Sequence, residues 1–225
     1  MNQVFDERYN SFNLIHKGLR ALLFETGIQL MRTDFTDDTE GAKAIRAVRT
    51  AADLFNDHAL HEDTHILPAV AQFDPSLQQE FEEEHEEDEE LANKLSALCE
   101  QYIHALSTER RGEIGKQLLY TFYEFAAFNL YHMNKEEKKL NAALWENYSD
   151  QDIQAIQQKI VASISPEIMA LDGKWMMRGI NDAEAKGWLT QVRHNAPDPV
   201  FRQLLAVGEK ELGDIRWNRV EQAVL

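Results

Sequence analysis

One residue pattern, built from histidine and glutamate, occurs twice in this sequence. In each copy a lone histidine is followed by a long gap and then by H-x-x-x-E: His16 precedes His58 and Glu62, and His85 precedes His132 and Glu136. Residues four apart on an α-helix project from one face, one turn apart. The second H-x-x-x-E lies 74 residues after the first, which suggests two related helical hairpins that face each other. Four imidazoles and two carboxylates that meet on a bundle axis would form a ligand set for two metal ions.

Four long helical patterns would position these side chains. Apolar residues recur at helical spacing over about 5–33, 40–72, 76–107 and 110–147, and the six candidate ligands lie on these apolar stripes. A turn signal at residues 74–76 separates the second pattern from the third. Because short connections make sequential helices antiparallel, residues 1–148 are predicted to form an up-down-up-down four-helix bundle in an all-α chain.

The rest of the chain, residues 149–225, is predicted to be an extension made of additional short C-terminal helices. Helix-start signals recur at Ser149-Asp150, Ser165-Pro166, Asn181-Asp182 and Asp198-Pro199. Three of the four tryptophans also lie here, and that much apolar surface is expected to be covered. We therefore expect the extension to pack on the bundle or to form the interface of a homodimer.

Composition narrows the class of protein. With 225 residues, 44% of them hydrophobic and 28% charged, the chain fits a globular protein that buries a sizeable core, and its 10 glycines and 5 prolines fit a nearly all-helical one. A net charge of −16 argues against nucleic acid or an anionic membrane surface as a partner.

Cysteine usage and the N-terminal residues bear on the compartment. The single cysteine, Cys99, excludes an internal disulfide framework and a cysteine-based metal cage. The first ten residues, MNQVFDERYN, lack the basic and apolar regions of a signal peptide. No apolar run approaches the roughly 20 residues that span a bilayer. We expect a cytoplasmic protein.

The doubled pattern resembles the hemerythrin-type, or HHE cation-binding, family of di-iron four-helix bundles. The run HALHEDTHILP at 58–68 resembles the signature of that family's second helix, and YHMNKEE at 131–137 resembles its fourth-helix counterpart. The runs NLIHKGLR at 13–20 and EHE at 84–86 resemble the single-histidine motifs of the first and third helices. The resemblance covers about residues 5–145, and the second-helix motif is its most specific part.

The resemblance implies a carboxylate-bridged pair of iron ions as the cofactor. The implied metal ligands are His16, His58, Glu62, His85, His132 and Glu136, with the two glutamates bridging the irons. Such a protein would bind or sense dioxygen, nitric oxide or iron. The alternative is a di-iron enzyme: an oxidase, a nitric-oxide reductase or a repair protein for iron centres. Manganese and zinc suit imidazole and carboxylate ligands nearly as well, so the choice of iron as the metal rests on the resemblance more than on the spacing of the ligands.

Two departures separate this chain from the oxygen-carrying members that it resembles. A carrier would show H-x-x-x-H on the third helix, but Glu89 stands four residues after His85. A carrier would show H-x-x-x-x-D on the fourth helix, whereas His132 here pairs with Glu136. These differences place the chain with the non-carrier branch of the family and argue against reversible oxygen storage.

Three further residues are candidates for additional ligands or for hydrogen-bond partners of the ligands. On an α-helix His65 would lie about 20° from His58, on the same stripe. Glu89 follows His85 by about one turn and could supply an oxygen ligand or accept a ring N–H. His61 lies about 60° off the stripe and is expected to be peripheral.

Other interpretations of the same residues remain open. Ferritin-like di-iron bundles use E-x-x-H on two helices, which residues 62–65 and 82–85 match, but Asn129 stands where the fourth helix would need a glutamate. Residues 61–65 also match the H-E-x-x-H string of zinc proteases, which would need a third ligand and a cleft. A metal-free interaction bundle is a further alternative, in which the histidines serve only as core residues.

Overall fold

The computed structural model describes residues 8–224. Every regular element in this range is helical, so the prediction of an all-α chain is confirmed. The elements are α1 Asn13–Arg32, α2 Asp38–His61, a π-helical segment Glu62–Ile66, α3 Leu67–Val70, α4 Pro75–Ile103, α5 Thr108–Asn147, α6 Asp150–Ser163, α7 Pro166–Gly179, α8 Asp182–Asn195, α9 Asp198–Leu212 and α10 Asp214–Val224. Within the described range, no helix is both long and apolar enough to cross a membrane.

The rod formed by α2 and α3 is interrupted by one wide turn at residues 62–66. The Leu67 N–H donates to the Glu62 carbonyl, five residues earlier, which is the π-helical pattern. Pro68 follows immediately. In a regular α-helix its ring would clash with the Thr64 carbonyl four residues before it. The wide turn therefore lies where the proline makes α-helical geometry unfavourable.

Side-chain oxygens cap six of the described helices, where they accept hydrogen bonds from backbone N–H groups that have no partner within the helix. The caps are Asp37 before α2, Asp74 before α4, Ser107 before α5, Ser149 before α6, Ser165 before α7 and Asn181 before α8. The helix starts at Ser165 and Asn181 were predicted from the sequence and are confirmed.

The first helix is shorter than predicted. The periodicity predicted a helix over about 5–33, but α1 begins at Asn13. Residues 5–7 lie outside the described residues, and 8–12 are not helical. Arg8 instead donates to the backbone carbonyls of Trp145 and Tyr148, each at 2.8 Å. These contacts hold Arg8 against the end of α5, and the Tyr9 carbonyl accepts from the Trp145 indole at 2.9 Å instead of from a helical N–H.

The described residues fall into two compact units, and the division between them cuts α1. The first unit comprises residues 8–12 and 25–163. Its core lies between α2, α4 and α5, where the rings of Phe55 and Phe125 meet edge to face at 5.3 Å and Phe81 and Phe122 are fully buried. This packing fixes the helices that carry most of the candidate ligands.

The second unit comprises residues 13–24 and 164–224 and has an apolar core of its own. Its buried members are Met177, Ile180, Ala185, Leu189, Leu212, Trp217, Val220 and Val224. Asp182 at the start of α8 pairs with Arg216 at 2.7 Å. The C-terminal helices thus cover much of their apolar surface within this unit, while the domain boundary after residue 148 and the homodimer interface stay predictions.

Candidate metal centre

The first unit brings four of the candidate ligands together. Glu62 at the start of the π-helical segment, His85 on α4, and His132 and Glu136 on α5 each offer one ligand atom, and these atoms all lie within 4.8 Å of one another. All four side chains are buried. The ion itself would therefore be shielded from bulk solvent.

The imidazole Nε2 atoms face the two carboxylates. His132 Nε2 lies 2.8 Å from Glu136 Oε1, and His85 Nε2 lies 3.4 Å from Glu62 Oε2 and 3.7 Å from Glu136 Oε1. His58 Nε2 lies 3.2 Å from the other Glu62 oxygen, and it too has a ligand atom within 4.8 Å of those of Glu62 and Glu136. The two glutamates are therefore shared between His58 on one side and His85 with His132 on the other.

The remaining candidates are placed differently. His16 is fully buried on α1, in the segment 13–24 that belongs to the second unit, and its role as a ligand stays a prediction. Among the described residues, the clusters of candidate ligand atoms do not include His65, Glu89 or His61. Glu89 is exposed. The wide turn at 62–66 changes the angle between His58 and His65 from the one that regular α-helical spacing gives.

Two carboxylates that sequence reasoning did not single out hold the outer nitrogens of the rings. Asp63 Oδ1 lies 2.6 Å from His85 Nδ1, and Glu84 Oε2 lies 2.8 Å from His132 Nδ1. A carboxylate at Nδ1 fixes the ring orientation and directs Nε2 at the opposite side, which is the usual arrangement behind metal-binding histidines. The only sequence signal is that Asp63 and Glu84 stand next to candidate ligands; the contact across helices depends on how the helices pack.

The carboxylates also control the charge of these imidazoles. Burial alone would lower the pKa of His85, but Asp63 and the two buried glutamates outweigh it and raise that pKa to about 12. Burial likewise opposes the charged form of His132, yet its neighbours, chiefly Glu136, raise its pKa to about 9. Both rings therefore carry a proton on Nε2 at neutral pH in the metal-free protein, and they balance the charge of the glutamates.

We expect the free energy of unfolding of the metal-free protein to fall as the pH rises from about 6.5 to about 9. The folded protein holds the His132 proton more tightly than the unfolded chain, whose histidine pKa is about 6.5. Its contribution is thus complete below pH ~6.5 and is lost as the pH passes the folded pKa of about 9. The part of this loss that comes from His132 is on the order of 3 kcal/mol. Urea unfolding in the presence of a chelator measures the pH dependence, and His132→Gln should reduce its slope by roughly half, because His85, with a pKa of about 12, keeps its own proton over the same range. An unchanged slope in that variant would contradict the assignment.

A buried polar pair lies on the same two helices as His85 and His132. Asn129 on α5 donates to the Asp88 carboxylate on α4 and, at 3.1 Å, to the Phe125 carbonyl. Burial raises the pKa of Asp88 to about 6, against the lowering effect of the hydrogen bond from Asn129. Sequence reasoning offered Glu89 as the extra oxygen donor of α4, but in the structure it is the preceding residue, Asp88, that is buried.

The donor set fits a cation. Two buried carboxylates need positive charge beside them, at a cost of roughly several kcal/mol each without it. Protonated imidazoles supply this charge in the metal-free protein, and a metal ion that displaced their protons would supply it instead. His85 Nε2 points at the two carboxylates but makes no hydrogen bond of acceptable geometry within residues 8–224. A metal ion placed between imidazole nitrogen and carboxylate oxygen would satisfy both kinds of donor, and this combination suits iron, manganese and zinc. The first unit therefore contains a His/Glu cluster able to hold a metal.

Comparison with known proteins gives one match. The family model described as the hemerythrin HHE cation binding domain matches residues 9–144. That range is more than half of the chain and includes every candidate ligand. Neither the curated proteins nor the solved structures contain a significant match.

Proposed function

Because this chain belongs to the hemerythrin HHE cation-binding domain family, we propose that it is a non-heme di-iron protein that binds or senses a small diatomic molecule, dioxygen or nitric oxide. The observation that carries this proposal is that two buried glutamates meet imidazoles from α2, α4 and α5. A site that only stabilised the fold would not need two carboxylates shared between opposite sets of histidines.

In the proposed centre Glu62 and Glu136 would be shared by two metal ions. His85 and His132 would hold one ion and His58 the other, and the positions of Glu62 and Glu136 between these Nε2 atoms support this division. His16 is proposed as the remaining ligand on the ground of the family resemblance alone. Six protein ligands, of which two bridge, leave coordination positions open. A pair of irons bound there would supply redox chemistry and binding positions for a small ligand.

The protein's own contribution would be to orient ligands and to exclude water. Phe128 stacks on the His132 ring at 5.8 Å, and Phe81 meets the same ring edge to face at 5.6 Å. These apolar rings pack against His132, and the carboxylates at the outer ring nitrogens keep each Nε2 directed inward. A small uncharged diatomic fits such a site better than a polar substrate does.

We also propose that α1, the α2–α3 rod, α4 and α5 alternate in direction as an up-down-up-down bundle. The connections between them, residues 33–37, 71–74 and 104–107, are short, and short connections favour antiparallel neighbours. The family match over residues 9–144 supports the same arrangement.

Freshly purified protein is expected to contain iron, with about two ions per chain at full loading, as the proposed pair of sites requires. Elemental analysis measures the content, and absorption spectra before and after addition of dioxygen or nitric oxide show whether the ligand reaches the metal. The dialysed, metal-free protein is the control and should show no spectral change. A loaded protein that is indifferent to both gases would contradict the binding proposal, and a protein that takes up no transition metal would contradict the site.

The C-terminal extension would serve as the responding part of a sensor, through a homodimer, which is one of the two arrangements expected from the sequence. The helices after residue 164 build a core of their own, which would let them rearrange together. Sedimentation of the oxidised and reduced protein tests this, because a sensor should change its association state, whereas an enzyme should turn over with an electron donor and leave it unchanged.

A further inference from the structure

Behind His132 lies a chain of charged contacts that runs from the candidate site to the protein surface. Lys135 contacts both Glu80 and Glu84, and its ammonium lies 5.1 Å above the Phe81 ring. Lys139, one turn further along α5, lies 2.7 Å from Glu80. We call Glu80, Glu84, Lys135 and Lys139 the Lys135 cluster. Both carboxylates of the cluster belong to α4, and both amines belong to α5.

Glu84 is the member of this cluster that faces the site, and both of its oxygens are engaged. Oε2 lies at the outer nitrogen of His132, and Oε1 is bound by Lys135. An ammonium bound to one oxygen limits the rotation of the carboxylate. Oε2 thereby stays at Nδ1, and the ring is held with Nδ1 outward and Nε2 toward the glutamates.

The carboxylate behind the other imidazole has no such support. Asp63 holds His85 Nδ1, but its side chain is 42% exposed, and within residues 8–224 it pairs with no lysine or arginine. Glu84 is 24% exposed and is bound from two sides. A lone, half-exposed carboxylate can turn to solvent at little cost, whereas Glu84 must first give up its contact with Lys135.

We infer that Lys135 is a positioning residue of the metal centre, and that it acts on His132 through Glu84. The inference rests on the proposed metal site. The ammonium of Lys135 contacts Glu80, Glu84 and the Phe81 ring rather than any proposed ligand. Its effect must therefore pass through the carboxylate, and this gives the inference a specific signature.

Lys139 provides a matched control. It lies on the same helix, carries the same charge and pairs with the same Glu80, but it does not contact Glu84. Removing either lysine changes the surface charge by one unit, yet only the loss of Lys135 releases the carboxylate behind His132.

The experiment measures the affinity of the metal-free protein for Zn²⁺ by competition with a chelator. Lys135→Met is expected to weaken binding about tenfold, the lower end for loss of an outer partner, and Lys139→Met less than about twofold. Lys135→Arg should restore affinity to within about threefold, because it returns the charge to Glu84. In a Glu84→Gln background, Lys135→Met should weaken Zn²⁺ binding by less than about a further twofold, because the carboxylate through which Lys135 acts on His132 is already absent.

A second measurement separates positioning from a general loss of stability. In the Co²⁺-loaded protein the Nδ1–H of a bound histidine gives a shifted proton resonance, whose exchange with solvent reports how firmly its acceptor is held. Exchange at His132 should be at least about tenfold faster in Lys135→Met and unchanged in Lys139→Met. Two outcomes would overturn the inference while leaving the metal site intact. In the first, Lys135→Met and Lys139→Met change Zn²⁺ affinity and proton exchange equally. In the second, Lys135→Met weakens Zn²⁺ binding as much in the Glu84→Gln background as in the wild type. Wild-type protein that binds neither Zn²⁺ nor Co²⁺ would remove the proposed function together with it.

Discussion

Glu62→Gln is expected to reduce the metal content of the purified protein to less than about a tenth of the wild-type value and to weaken affinity by more than ~100-fold, beyond the range for outer partners of a ligand. One Glu62 oxygen lies 3.2 Å from His58 Nε2 and the other lies 3.4 Å from His85 Nε2. Glutamine keeps the shape of the side chain but removes the charge and one of the two oxygens. Both positions of the proposed pair are therefore affected by this single change.

Glu89→Gln is the matched control for that experiment. It makes the same chemical change on an exposed residue of α4, four positions after His85, and it should alter metal content by less than about twofold. Helical circular dichroism of both variants should equal that of the wild type, which separates loss of metal from loss of fold. Wild-type metal content in Glu62→Gln would rule out a bridging role, and loss of metal in Glu89→Gln would make Glu89 the ligand that the sequence allowed.

Metal binding is expected to release about two protons from His85 and His132 near neutral pH. In the metal-free protein the pKa of His85 is about 12 and that of His132 about 9, so a cation must displace a proton from each Nε2. Apparent affinity should consequently rise up to ~100-fold per pH unit between about pH 7 and 8.5, and only ~10-fold per unit above pH 9, where His132 is already neutral.

Calorimetry in two buffers of different ionisation enthalpy, at one pH, counts these protons. The count should be close to two at pH 7.5 and should approach one near pH 10. The variant Lys139→Met, which leaves both imidazoles and their carboxylates in place, should release the same number. A count near zero at pH 7.5 would mean that the imidazoles are neutral before the metal arrives, and the charge balance described for the metal-free site would then be wrong.

Much of the fold could be predicted from the sequence because local signals agreed with one another. The long apolar periodicities predicted the helical cores of α2, α4 and α5, and start signals such as Ser165 and Asn181 predicted the later helices. The start of α1 could not be predicted in this way. Residues 8–12 follow a different path because Arg8 binds carbonyls more than 130 positions away, and no local pattern encodes such a contact.

In the candidate site, too, contacts within one helix could be predicted from the sequence, whereas contacts between helices could not. The spacing of His132 and Glu136 on one helix could be predicted, because four residues make one turn. The contacts of Asp63 with His85 and of Glu84 with His132 join different helices, so they depend on the axial alignment of those helices. The choice of Asp88 over Glu89 as the buried carboxylate of α4 likewise depends on the rotation of that helix about its axis, which periodicity fixes only to within about one residue.

Two consecutive residues of the wide turn at 62–66 contact the His85 imidazole from opposite sides. Neighbouring residues of a regular α-helix diverge by about 100°, yet Glu62 and Asp63 reach opposite nitrogens of the His85 ring, at 3.4 and 2.6 Å. A 180° flip of the ring would put carbon atoms where both nitrogens stand and would break both contacts. Two consecutive residues of a single turn therefore contact both nitrogens of this ring, so the geometry on this side of the site depends on a short piece of sequence.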